Sequence, residues 1–312
     1  MSLISLTTGF LRLIRFPNLL FIALTQILLQ YCIYQPLYNT ISFQEDAAKF
    51  WLLCAASLLI AAAGYVINDY FDADIDQINK PARLIIGKLI SKRVAIFFHL
   101  FFSATGILLT YWSLHSNQQL YLVFLNGVAV LLLWFYSVRF KKSFLIGNLI
   151  ISLLVAWVII IFFLSKLSIV QIVIGAEKNQ TIFYQLTILY AGFAFLSTFI
   201  RELIKDVEDL EGDRRYGCKT LPILWGIPLT RLFIFSWVVI LLVLVFIVLV
   251  YLLQLKMRFA FLYGGLFIVG PLFFLLKRLH IAESSIEFGK LSSLMKWVLL
   301  AGILSMIFFY IR

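Results

Sequence analysis

The sequence predicts an all-α fold, a polytopic membrane helical bundle of about nine transmembrane helices, and three observations predict it. Of the 312 residues, 63% are hydrophobic and 13% charged, whereas a soluble domain runs at about 45–50% apolar and about 25% charged. No water-soluble core could absorb that excess. The apolar residues also gather in runs close to the roughly 20 residues that cross a hydrocarbon layer about 30 Å thick. Basic residues, finally, crowd into alternate gaps between those runs, as they do when loops lie on two faces of a bilayer.

Nine stretches lack Asp, Glu, Lys and Arg: 17–38, 50–67, 94–114, 119–137, 144–165, 182–200, 232–253, 259–276 and 297–311. Apart from 68–93 and 201–231 the gaps are short, so residues 1–312 are expected to form a single transmembrane domain. The first span begins after Arg12 and Arg15 and offers no small-residue cleavage site, which predicts a retained helix rather than a signal peptide. If the spans alternate, the N-terminus and the loops after spans two, four, six and eight carry 20 Lys and Arg against 6 on the other face. That excess places the crowded face in the cytoplasm, in an integral protein of the cell (inner) membrane. It also accounts for the +11 charge through topology and attraction to anionic membrane lipids, so no nucleic acid partner is expected. Cys32, Cys54 and Cys218 show no paired spacing, and His99, His115 and His280 are scattered.

Of the 15 acidic residues, ten occupy two short segments. One is Asn68-Asp69-Tyr70-Phe71-Asp72-Ala73-Asp74-Ile75-Asp76, the other Glu202 to Asp213. Each follows a span on the crowded face, so helix periodicity is expected to carry through the carboxylates. At about 100° per residue, Asp69, Asp72 and Asp76 fall on one narrow arc, and Asp206, Asp209 and Asp213 repeat the same i, i+3, i+7 spacing. Glu202 joins the second face; Asp74 and Glu208 point elsewhere. Like charges so stacked repel. Hard oxygen ligands suit Mg²⁺, which takes a few protein carboxylates and completes its shell with water and phosphate oxygens. Two such faces could hold two or three ions around a diphosphate. The plainer alternative is a solvated helix end offset by nearby Lys and Arg, but one spacing used twice, at the membrane surface, argues for function.

Basic groups flank both segments: Lys80, Arg83 and Lys88 after the first, and Lys205, Arg214, Arg215 and Lys219 around the second. Such groups bind phosphate through charge-assisted hydrogen bonds. Tyr136-Ser137-Val138-Arg139-Phe140-Lys141-Lys142 ends span four on the same face, as a phosphate site or as a topology anchor. Asp69 and Asp206 are 137 residues and four spans apart, which hints at two related halves.

At these residues the chain resembles the UbiA-type membrane prenyltransferase family. Asn68, Asp69, Asp72 and Asp76 fill every defined position of its first motif, Asn-Asp-x-x-Asp-x-x-x-Asp, and Asn79-Lys80-Pro81-x-Arg83 follows, with Leu84 where many members carry proline. Asp206, Asp209 and Asp213 match its second motif. The run through Gly212-Asp213-Arg214-Arg215 to Lys219-Thr220-Leu221-Pro222 is most similar to the branch that makes digeranylgeranylglyceryl phosphate. The family's tyrosine with lysine four residues later is matched only at Tyr136, because Phe140 stands at that spacing. Asn18, after Arg15-Phe16-Pro17, resembles the asparagine near the start of the family's first helix.

The resemblance implies an enzyme that moves a prenyl group from a prenyl diphosphate such as geranylgeranyl diphosphate, with Mg²⁺ as cofactor. Asn68, Asp69, Asp72, Asp76, Asp206, Asp209 and Asp213 would hold metal, with Asp72, Asp76, Asp209 and Asp213 catalytic. Asn18, Lys80, Arg83, Tyr136, Arg139, Lys141, Lys142, Lys205, Arg214 and Lys219 would bind substrate. The acceptor favoured is a lipid such as geranylgeranylglyceryl phosphate, the alternative an aromatic quinone precursor. Outside this class, an ion-coupled transporter would keep its acids near the midplane rather than at span ends. A cytidine-linked phosphotransferase would carry Asp-Gly-x-x-Ala-Arg, which is absent.

Overall fold

A computed structural model of the chain describes residues 3–38, 43–79, 85–166 and 178–310. Among the described residues the architecture is all-α, and the one departure is an isolated bridge between Ile86 and Ile90. Among these described residues nine helices are long and apolar enough to cross a membrane: Phe16–Tyr38, Asp46–Asp74, Lys92–Trp112, Asn117–Val138, Ile146–Lys166, Lys178–Glu208, Leu221–Gln254, Arg258–Ile281 and Ser285–Tyr310. Their outward side chains are large and apolar, as at Phe124, Leu232, Phe259 and Trp297, which suits a hydrocarbon surround.

Charge-free runs locate these helices but mistake their ends. Phe43–Asn79 runs through the first acidic segment without a break, and Lys178–Glu208 carries helix well into the second. The last span starts at Ser285 rather than near 297, because Ser284 and Glu287 form a capping box that satisfies its first amides. Leu221–Gln254 begins ahead of the expected 232 and turns at Gly226, whose φ of 76° is glycine territory, just before Pro228.

The chain divides into two compact units. The first comprises Met1–Ile27, Leu37–Lys141 and Val158–Gln185. In it Phe43–Asn79 packs on Lys92–Trp112 and on Leu120–Val138. Gly106 permits one close crossing, since a Cβ there would lie 2.7 Å from Ile60. Asn126 donates to Thr110 at 2.8 Å, so these buried polar groups are matched to each other. The amphipathic Leu3–Leu13 helix ends in a cluster of Leu13, Val66, Ile85, Ile86 and Ile90.

The second unit comprises Leu28–Pro36, Lys142–Trp157 and Leu186–Arg312. Its core is built by Leu203, Ile204, Ile234, Leu272, Leu275 and Met295, all fully buried. Short helix Leu210–Arg215 follows the Lys178–Glu208 helix after a single irregular residue, Asp209.

In each unit a non-glycine residue opens a span in the left-handed conformation. Arg15 (φ 49°) precedes Phe16, and Leu145 (φ 55°) precedes Ile146. For such residues this costs roughly 1–2 kcal/mol, so the surrounding structure must hold them there.

Candidate active site

Because Phe43–Asn79 stays helical, positions 69, 72 and 76 share one face of it. Asp72 is 3% exposed. Asn68, one turn earlier, donates its amide to Asp72 Oδ2 at 2.7 Å, and the ammonium of Lys141 pairs with the same oxygen. Asp69 accepts from Arg15 at 2.8 Å, and that guanidinium also lies over the ring of Tyr65 at 5.1 Å. Burial is the largest single influence and works against the Arg15 charge, but Asp69, Tyr65 and Asp72 together outweigh it and raise the guanidinium pKa above its ordinary value. Asp74 is exposed.

At Asp69 and Asp72 the predicted repulsion is therefore relieved through two fixed cations and an amide. Of the Tyr136–Lys142 cluster, Lys141 is seen on the first motif, whereas Arg139 is exposed and Tyr136 half-buried. The side chain of Asp76 and all of Lys80 and Arg83 lie outside the described residues. Asn18 is half-buried, and its backbone N–H donates to the Arg15 carbonyl at 2.7 Å.

In the second unit the expected continuous helix is interrupted at Asp209, although the hydrogen-bond ladder survives: Asp209 N–H donates to Lys205 and Asp213 N–H to Asp209. The residue bends the register without ending it. Asn148 donates to Asp206 Oδ2 at 2.9 Å. Lys205 turns to the buried Glu202 at 2.9 Å, and Arg201 holds the other oxygen of that carboxylate at 2.6 Å. Asp213 is buried, Arg214 and Lys219 are exposed, and the Lys219 amide donates to the Lys142 carbonyl at 2.8 Å.

Among the described residues no group of three or more His, Cys, Asp or Glu side chains already forms a metal cluster. The donors nonetheless fit Mg²⁺. Asn68 spends its amide nitrogen on Asp72, which leaves its Oδ1 buried and without a hydrogen-bond partner. An orphaned acceptor is costly, and a hard cation or its bound water is the partner this oxygen suits.

Sequence reasoning missed Arg15 and Asn148 as site residues. Asn148 was visible as an asparagine in an otherwise apolar span, which is expensive unless partnered. Arg15 offered less, because a cation just before a span reads equally well as a topology anchor.

Residues 40–300 match the UbiA prenyltransferase family. The chain is 38% identical over 199 residues to the digeranylgeranylglyceryl phosphate synthase of Methanothermobacter thermautotrophicus, covering 61% of this chain and 62% of that one. It is 36% identical over 185 residues to the synthase of the same name from Korarchaeum cryptofilum, covering 59% of each. These matches thus span about three fifths of the relatives' length. A solved structure from work on digeranylgeranylglyceryl phosphate synthase in membranes superposes with a TM-score of 0.63 at 25% identity, over 97% of this chain and 99% of that one. A UbiA homolog from Archaeoglobus fulgidus, bound to DMAPP and Mg²⁺, shares the fold with a TM-score of 0.56 at 18% identity, over 96% and 99%.

Proposed function

Since the chain belongs to the UbiA prenyltransferase family, we propose that it is a membrane-embedded prenyltransferase that moves a geranylgeranyl group from its diphosphate to geranylgeranylglyceryl phosphate. The observation that carries this is the buried Asp72, flanked by Lys141 and by an Asn68 oxygen with no partner. It supports a diphosphate site on the family's first motif. The named relatives support the acceptor.

Asn68, Asp69, Asp72 and Asp76 would hold Mg²⁺ in the first segment, and Asp206, Asp209 and Asp213 in the second. When bound, Mg²⁺ supplies charge that stabilises the departing diphosphate. The rest falls to the chain. An allylic C–O bond breaks as negative charge gathers on the leaving group, and donors fixed beforehand lower that barrier. Lys141 and Arg15 are such donors: each is held in place by a carboxylate and carries several N–H groups, so that it can also meet a phosphate oxygen. The acceptor hydroxyl then forms the new C–O bond, and its proton leaves to a phosphate oxygen. Arg214 and Lys219 are exposed cations suited to the acceptor's own phosphate. The basic excess of 20 to 6 supports a cytoplasmic position for both segments and the N-terminus in the cell membrane.

The test supplies geranylgeranyl diphosphate and Mg²⁺ with geranylgeranylglyceryl phosphate or 4-hydroxybenzoate, in separate reactions followed by mass spectrometry. Prenylated lipid that disappears with EDTA is expected. Product from the aromatic acid alone would overturn the acceptor, and no product from either would overturn the donor.

A further inference from the structure

The Ile146–Lys166 helix contains a single asparagine, and the helix spends it on an acid. Asn148 is buried, its amide donates to Asp206 Oδ2 at 2.9 Å, and its backbone carbonyl accepts the Ser152 hydroxyl at 2.6 Å. Two features fix the place from which it reaches. Leu145 opens the helix with φ at 55°, a conformation that persists only where surroundings hold it. The Lys142 carbonyl ties the approach to this helix to Lys219, just beyond the second acidic segment, at 2.8 Å.

The first span repeats the design with a different ending. Arg15 and Asn18 stand three residues apart, as Leu145 and Asn148 do, and in both pairs the first member is left-handed. There the left-handed residue itself contacts the acid, Arg15 on Asp69 at 2.8 Å. In the second unit that residue is an uncharged leucine, and Asn148 makes the contact instead.

We infer that Asn148 is a positioning residue, which orients Asp206 as a ligand for a divalent cation. An amide suits this task because it fixes a carboxylate oxygen without neutralising it, as a lysine or arginine would. The inference rests on the reading that the second acidic segment binds Mg²⁺, and the test separates the two.

The purified full chain is titrated with Mn²⁺ and binding is followed by electron paramagnetic resonance, alongside thermal unfolding and the Mg²⁺ dependence of turnover. Asn148→Ala is expected to weaken Mn²⁺ binding about ten- to hundredfold and to raise half-saturating Mg²⁺ by a similar factor, with kcat largely restored at saturation. The swapped pair Asn148→Asp with Asp206→Asn rebuilds the bond with its polarity reversed. It should regain the wild-type unfolding temperature while Mn²⁺ affinity stays low. Recovered affinity in the swap would reduce Asn148 to a structural tie and overturn the inference. So would wild-type affinity in Asn148→Ala where Asp206→Asn lowers it. Unchanged affinity in Asp206→Asn itself would overturn the metal reading beneath it.

Discussion

Replacing Lys141 with methionine keeps the aliphatic stem and deletes one charge. Asp72 is 3% exposed and accepts from both Lys141 and Asn68. Removing one partner of a fully buried ion pair costs about 3–5 kcal/mol. Here the lysine side chain is 33% exposed and Asn68 keeps its bond, so water can fill the vacated place and the stability loss falls to about 1–2 kcal/mol. The catalytic loss is larger, because a single donor aimed at charge developing in the transition state is worth roughly 10²- to 10³-fold in kcat. Lys141→Met should therefore fold, unfold at a moderately lower temperature and turn over about a hundredfold more slowly at saturating Mg²⁺ and donor. Lys142→Met and Arg139→Ala, neighbours in the same cluster, are expected to lose less than Lys141→Met, because Lys141 is the one of the three seen paired with Asp72 among the described contacts. Turnover is followed by mass spectrometry on protein in lipid nanodiscs, and unfolding by tryptophan fluorescence. Near-wild-type kcat in Lys141→Met, or a deeper loss in Lys142→Met, would refute the reasoning.

Asp72→Asn and Asp209→Asn should each remove turnover while the protein stays folded and inserted, and wild-type rates at saturating Mg²⁺ in either would count against a role for that acidic segment in the reaction. Asn79→Cys and Glu211→Cys should label from the cytoplasmic side, the three native cysteines being buried; labelling of both from outside alone would invert the topology. A third expectation concerns the far end of the first unit. There Lys166, with a side chain 2% exposed, meets Asp46 at 2.7 Å, Asp46 meets His115 at 3.2 Å, and the ammonium lies over Phe50 and Phe162. Asp46→Ala takes a carboxylate away from a buried ammonium, whereas Lys166→Met takes a cation away from a partly wet carboxylate, so Asp46→Ala should cost more stability than Lys166→Met. Thermal unfolding that ranks the two variants in the opposite order would reject the assignment of the burial cost to the lysine.

The nine spans were legible because bilayer thickness sets the length of an apolar run, whatever the tertiary contacts. Their ends were not, since a charge-free window stops at the first acid while the backbone ladder does not, as Phe43–Asn79 shows. Lys290 and Lys296 hid the start of the last span in the same way, although the Ser284 to Glu287 capping box stood in the sequence.

The acids of the site were legible through their spacing, and their partners were not, because partners are fixed by chain reversals that periodicity does not describe. Arg139, Lys141 and Lys142 were equivalent in sequence. What separates them is local: the Leu120–Val138 helix ends, and Phe140–Lys142 tightens into a 3₁₀ turn, where each residue advances about 120° instead of about 100°. Only Lys141 is brought to Asp72 among the described contacts. Arg15 owes its reach to a left-handed turn that no residue preference of arginine would announce. Backbone geometry at junctions between helices, a 3₁₀ turn at Lys141 and a left-handed residue at Arg15, thus decides which cation meets an acid, and the strain at Arg15 is held by tertiary structure rather than by the local sequence.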